Sequence, residues 1–178
     1  MHKLPTRLTL PALRRLGFTL VELMITLAVL VLLLAVAVPS MQEFSANNQL
    51  AATRSNFAAA LALARTEAAK RGRVVVVQAL GSGPTGNEFA GGWEIAVDDD
   101  GNGAVATTET RVRRNAVTLQ KIQLGGEATV SFRATGALAG TSAQVFTLCR
   151  ASGGTRGYTI TVMPSGTTDV ANINTCTP

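Results

Sequence analysis

The chain has 178 residues, 47% of them apolar, and a formal net charge of +5 at pH 7, which leaves room for one domain beside a long helix. The charge does not argue for nucleic-acid binding. Lys3, Arg7, Arg14 and Arg15 fall in the first 17 residues, and setting those four of 16 aside leaves 12 basic against 11 acidic side chains. The single histidine, His2, lies in the same segment, so beyond it no histidine-activated nucleophile or histidine-containing zinc site can be built.

A basic start is followed by Arg14-Arg15-Leu16-Gly17-Phe18-Thr19-Leu20-Val21-Glu22-Leu23, after which the chain stays apolar to Val38 and meets Pro39. Phe18 to Val38 would form a helix about 31 Å long, enough to cross a bilayer core of about 30 Å. This stretch accounts for most of the mean hydropathy of +0.26. A secretory signal peptide would use the same pattern, and Ala35-Val36-Ala37 supplies an A-x-A cleavage site; a plain signal anchor is the other ordinary reading. Glu22 argues against both. A carboxylate in an apolar span costs about 2.5–3.5 kcal/mol even on the lenient insertion scale, so it calls for a partner. Cutting after Gly17 would create one: the new α-amino group of Phe18 on a neighbouring subunit.

The string Gly17-Phe18-Thr19-Leu20-Val21-Glu22-Leu23 resembles the N-terminal motif of type IV pilins and type II secretion pseudopilins at every position. The resemblance implies a leader over 1–17, cleavage between Gly17 and Phe18 by a prepilin peptidase, and methylation of the Phe18 amine. It also implies a filament-assembly role for Glu22 and a helix kink at Pro39. The span 18–38 would anchor the chain once in the bacterial inner membrane, with the remainder in the periplasm.

Beyond the span the helix is expected to continue to residue 72. Leu50, Phe57, Leu61, Ala64 and Ala68 recur on one face of a 3.6-residue period, Arg54, Arg65, Glu67, Lys70 and Arg71 flank that stripe, and Gly72 is a C-cap. From residue 73 to 178 the texture is β-type. Strands are expected at 73–80, 92–97, 110–114, 117–124, 128–133, 144–149 and 157–163, with turns at 81–91, 98–103, 125–126, 134–140 and 151–156. The fold class is α+β: a long N-terminal helix packed on a C-terminal antiparallel β domain, the pilin-like arrangement. The order of a Gly-Gly-Trp-Glu-Ile strand, an Asp-Asp-Asp-Gly-Asn-Gly loop and an Arg-Val-Arg-Arg strand is similar to the GspH/FimT group of minor pilins and pseudopilins.

Four constellations invite chemistry. Asp98, Asp100, Asn102, Gly103 and Glu109 satisfy the D-x-[DN]-x-[DN]-G-x5-E spacing of a calcium loop, against the alternative of a solvated hairpin turn. Gly81-Ser82-Gly83-Pro84-Thr85-Gly86 matches G-x-G-x-x-G, but Pro84, Gly91 and Gly92 prevent the following helix, so it reads as a loop. Arg111, Arg113 and Arg114 form a basic patch, with Arg111 and Arg113 expected on one strand face and Arg114 on the other, for DNA or as a charged edge. Cys149 and Cys176, late in an exported chain, are expected to form a disulfide, the alternative being two free thiols. DNA-binding members of the FimT group carry a Gly-Arg-x-Arg motif. The corresponding stretch here, Pro164 to Val170, keeps the glycine and lacks the arginines.

The sequence therefore points to a filament subunit and away from an enzyme. Its expected partners are other pilins or pseudopilins, the prepilin peptidase and the inner membrane. Its expected role is initiation or capping of a type II secretion pseudopilus or type IV pilus. DNA capture through Arg111, Arg113 and Arg114 is the alternative, and calcium is the one candidate cofactor.

Overall fold

A computed structural model of the chain describes residues 17–81, 83–119 and 121–176. The expected leader, apart from Gly17, lies outside the described residues. The chain divides into two compact units, Met1–Met41 and Gln42–Pro178. One helix, α1 (Leu20–Arg71), supplies residues to both.

In the first unit Gly17, Phe18 and Thr19 precede the helix. Thr19 caps it: its hydroxyl accepts the Glu22 N–H at 3.2 Å and its carbonyl accepts the Leu23 N–H at 3.1 Å. From Gly17 to Val38 every residue is exposed, and all but Gly17, Thr19, Glu22 and Thr26 are apolar. The stretch is long and apolar enough to cross a membrane, and none of it is buried. α1 is a single helical element across position 39.

The second unit packs the rest of α1 against two antiparallel sheets. Its strands are β1 (Val75–Ala79), β2 (Gly92–Val97), β3 (Arg111–Ala116), β4 (Ile122–Gly125), β5 (Thr129–Phe132), β6 (Gln144–Arg150), β7 (Gly157–Val162) and β8 (Thr168–Ile173). The first sheet has the order β3-β2-β1-β5 and the second β4-β6-β7-β8. The stripe read from the sequence is the one that faces inward: Leu50, Phe57, Leu61, Ala64 and Ala68 are all buried. They join one core with Val75, Val77, Trp93 and Ile95 of the first sheet and Leu124, Phe146, Leu148 and Ile160 of the second. Phe57 stands at its centre, edge-on to Phe89, Trp93 and Phe146 at 5.1, 5.2 and 5.2 Å between ring centroids. Arg54, beside the stripe, lays its guanidinium over the Tyr158 ring at 4.7 Å. Gly72, at φ 63°, ends the helix as expected of a C-cap.

The strand pattern departs from expectation at four places. The expected strand 117–124 shortens to β4, because Val117–Leu119 leaves the sheet and Leu119 N–H bonds the Ala90 carbonyl at 2.9 Å. Gly125, expected in a turn, closes β4. Phe89, inside the expected 81–91 turn, is a fully buried core residue. β8 was not expected at all. It is held by an unbroken six-pair register with β7 across a tight turn, in which Gly166 takes φ 80° and donates to Met163 O at 2.8 Å.

Candidate functional site

The acidic loop between β2 and β3 organises itself through backbone N–H groups. Asp98 Oδ1 accepts from Gly101 N (2.7 Å) and Asn102 N (3.1 Å), and Oδ2 from Gly103 N (3.0 Å). Glu109 Oε1 accepts from Asp99 N (3.1 Å) and Oε2 from Ala106 N (2.8 Å). Asp98 and Glu109 are only 5% and 7% exposed, so these bonds satisfy carboxylates that would otherwise be buried without partners. Asp100 takes the Asn102 N–H and side-chain amide, and Asn102 Oδ1 accepts from Ala104 N. Arg73 fixes the loop's start by an ion pair to Asp99 at 2.8 Å.

Asp98, Asp100 and Glu109 each place one oxygen within 4.8 Å of the others, whereas Asn102 turns its side chain back into the loop. Calcium takes six to eight oxygen ligands. Both oxygens of Asp98 and of Glu109 accept N–H groups of the loop and so brace it between its flanking strands, while Asp98 Oδ2 and both Glu109 oxygens, each with one donor, keep a lone pair that a cation could take. The brace has a load: Asp98 N–H bonds Val74 O at 3.0 Å, carrying the β1–β2 ladder one step further, and Val105 N–H bonds Gln78 Oε1 at 2.8 Å, which draws the loop onto the outer face of β1. All six residues of β2 are buried accordingly, on both faces.

The arginine patch is not the one the alternation implied. Ile95 pairs with Arg113 but the next residue, Ala96, pairs with Arg111, so two residues of β3 oppose one of β2 in a bulge. The bulge reverses the facing of Arg111. It lies on the outer face with Arg114, where Glu94 stands opposite Arg114, while Arg113 is opposite core-facing Ile95. Arg113 lines a small cavity of about 120 Å³ with Asn56, Ala59, Ala60, Trp93 and Asn115. Arg111 is paired through Nε to Glu94 Oε2 at 3.0 Å, and Glu94 is only 6% exposed. The three cations thus form no common surface, and one is consumed by a buried carboxylate.

Cys149 and Cys176 are joined in a disulfide with Cα atoms 5.7 Å apart, tying the end of β6 to the chain beyond β8. Pro164 to Val170 forms the β7–β8 turn and the first half of β8. Gly166 there abuts the Gly136 carbonyl, leaving no room for a side chain, so packing alone accounts for that glycine. The Gly81–Gly86 segment has Ser82 outside the described residues, and the next element after it is β2.

Over residues 53–166 the chain matches the family profile described as type II transport protein GspH, and over residues 13–38 it matches the prokaryotic N-terminal methylation motif. No curated protein sequence matches it significantly. Two crystal structures of the type IV minor pilin FimU from Pseudomonas aeruginosa strain PAO1 share its fold. The one in space group P21 is 19% identical with a TM-score of 0.59, covering 75% of this chain and 99% of that one. The one in P65 is 20% identical with a TM-score of 0.52, covering 75% and 98%. With its head on the one profile and its N-terminal stretch on the other, the chain belongs to the GspH family of pilin-type subunits.

Proposed function

We propose that the chain is a minor pilin or pseudopilin that helps initiate or cap a type II secretion pseudopilus or type IV pilus. A prepilin peptidase cuts between Gly17 and Phe18 and methylates the Phe18 amine. Phe18 to Val38 holds the subunit in the inner membrane, with residues 73–178 in the periplasm, until assembly draws it into the fibre.

The observation that carries this reading is the uncovered apolar helix with one carboxylate in its first turn: Phe18 is 84% exposed, and Glu22 lies among exposed Leu20, Val21 and Leu23. Such a surface is stable in lipid or when packed against other helices of the same kind. Glu22 is costly in the first setting and is neutralised in the second by a neighbour's Phe18 amine. The split arginines and the Glu94–Arg111 pair give no support to the DNA-capture alternative.

The test is recovery of Glu22→Ala in sheared filaments or in complexes with other pilins. The variant is expected to be processed at the wild-type rate and to be missing from the fibre. Normal incorporation would remove the account of Glu22.

A further inference from the structure

Two sheets have four edges; two of them are covered by other segments and a third is guarded by charge and a bulge. β3 carries Arg111, Arg113 and Arg114 and a bulge, the usual protections of an edge strand. β5 is covered by the returning 137–139 segment: Ala139 N–H bonds the Ser131 carbonyl at 2.8 Å, and Phe132 bridges to Leu138. β4 is covered by the loop before β2. Leu124 donates to Asn87 Oδ1 at 3.0 Å and accepts from Phe89 N at 3.2 Å, and Gly126 N–H bonds Glu88 Oε2 at 3.0 Å.

β8 is different. It pairs with β7 on one side, and among the described residues no group bonds its other side. Its register is unbroken, so no bulge twists the edge away, and it has no proline. The turn bond from Met163 N–H to Thr167 O at 2.8 Å sets the parity of the ladder. By alternation, Asp169, Ala171 and Ile173 direct their backbone groups to β7, and Thr168, Val170 and Asn172 direct theirs outward. Asp169 to Asn172 are all exposed. The one charge, Asp169, has no ion-pair partner among the described residues.

We infer that the outer edge of β8 is a docking strand for an extended segment of a different pilin-family subunit, one that places a cationic side chain against Asp169. A row of outward N–H and C=O groups is complementary to another strand, which would extend the sheet β4-β6-β7-β8 by one. The unpaired Asp169 sets the sign of the charge such a strand brings. This inference rests on the filament reading above and names the surface through which the head takes part in it.

The test uses the full chain expressed with its fellow pilins. Val170→Pro removes an outward N–H and leaves the bonds to β7 in place; Asp169→Lys reverses the charge without touching the backbone. Both are expected to melt within a few degrees of wild type, to be processed normally, and to fall at least tenfold in recovery from filaments or co-purified pilin complexes. Recovery of both at the wild-type level would overturn the inference. So would a homodimer of the purified wild-type chain that Val170→Pro abolishes, since the occupant would then be a second copy. Absence of the wild-type chain itself from filaments would count against the filament reading, not against the edge.

Discussion

Truncating Phe57 to alanine tests how the head is held together. The ring is fully buried and touches the loop through Phe89, the first sheet through Trp93 and the second through Phe146, each edge-on at 5.1–5.2 Å. Deleting a buried Phe costs about 3–5 kcal/mol, and aromatic edge contacts add about 0.5–1.5 kcal/mol apiece, so the loss belongs at the top of that range, about 4–5 kcal/mol. A domain of this kind has about 5–15 kcal/mol in all, and the expected fall in Tm is roughly 10–20 °C. The assay is thermal unfolding of the full chain in detergent, followed by the fluorescence of Trp93, the only tryptophan and itself a neighbour of residue 57. Phe57→Leu keeps apolar bulk and loses the ring edges, so its loss is expected to be about 1–3 kcal/mol. A drop below about 4 °C for Phe57→Ala would refute the view that one helix residue couples both sheets.

Other consequences follow from the same contacts. Cys149→Ser with Cys176→Ser opens a link spanning 27 positions and is expected to cost about 3–4 kcal/mol in the chain-entropy model, read as a shift in denaturant midpoint. Arg111→Ala strips the partner from buried Glu94 and is expected to cost about 1–3 kcal/mol, whereas Arg114→Ala stays within about 0.5 kcal/mol. In a salt titration with duplex DNA, wild type and the triple alanine variant of Arg111, Arg113 and Arg114 are expected to be indistinguishable; steep, salt-sensitive binding lost in the variant would restore DNA capture. Asp98→Ala unties three N–H groups and is expected to cost about 2–3 kcal/mol equally in calcium and in EDTA; a calcium-dependent rise in wild-type Tm would instead make the loop a metal site.

Periodicity made the helix stripe legible, because a long amphipathic helix repeats its signal at Leu50, Phe57, Leu61, Ala64 and Ala68. Two cysteines late in a chain expected to be exported did the same for the disulfide. β8 was illegible for a physical reason: Thr-Asp-Val-Ala-Asn-Ile has three residues with poor strand propensity and only partial burial, and its pairing with β7 forms across a turn that only Gly166 can make. The bulge at Ile95 and Ala96 leaves no mark in composition, yet it decides which arginine meets Glu94. The calcium-like spacing was real as a pattern. Its carboxylates converge and also serve the loop's own N–H groups, a bracing role that could be learned only once the backbone was placed.

The most direct test of the central claim is the N-terminus of the mature protein, measured by mass spectrometry of the membrane fraction from cells with an active prepilin peptidase. The account predicts a chain that begins at N-methylated Phe18 and keeps the whole apolar helix. A chain beginning at Val38, after Ala35-Val36-Ala37, would contradict it, since the head would then be released and Glu22 discarded.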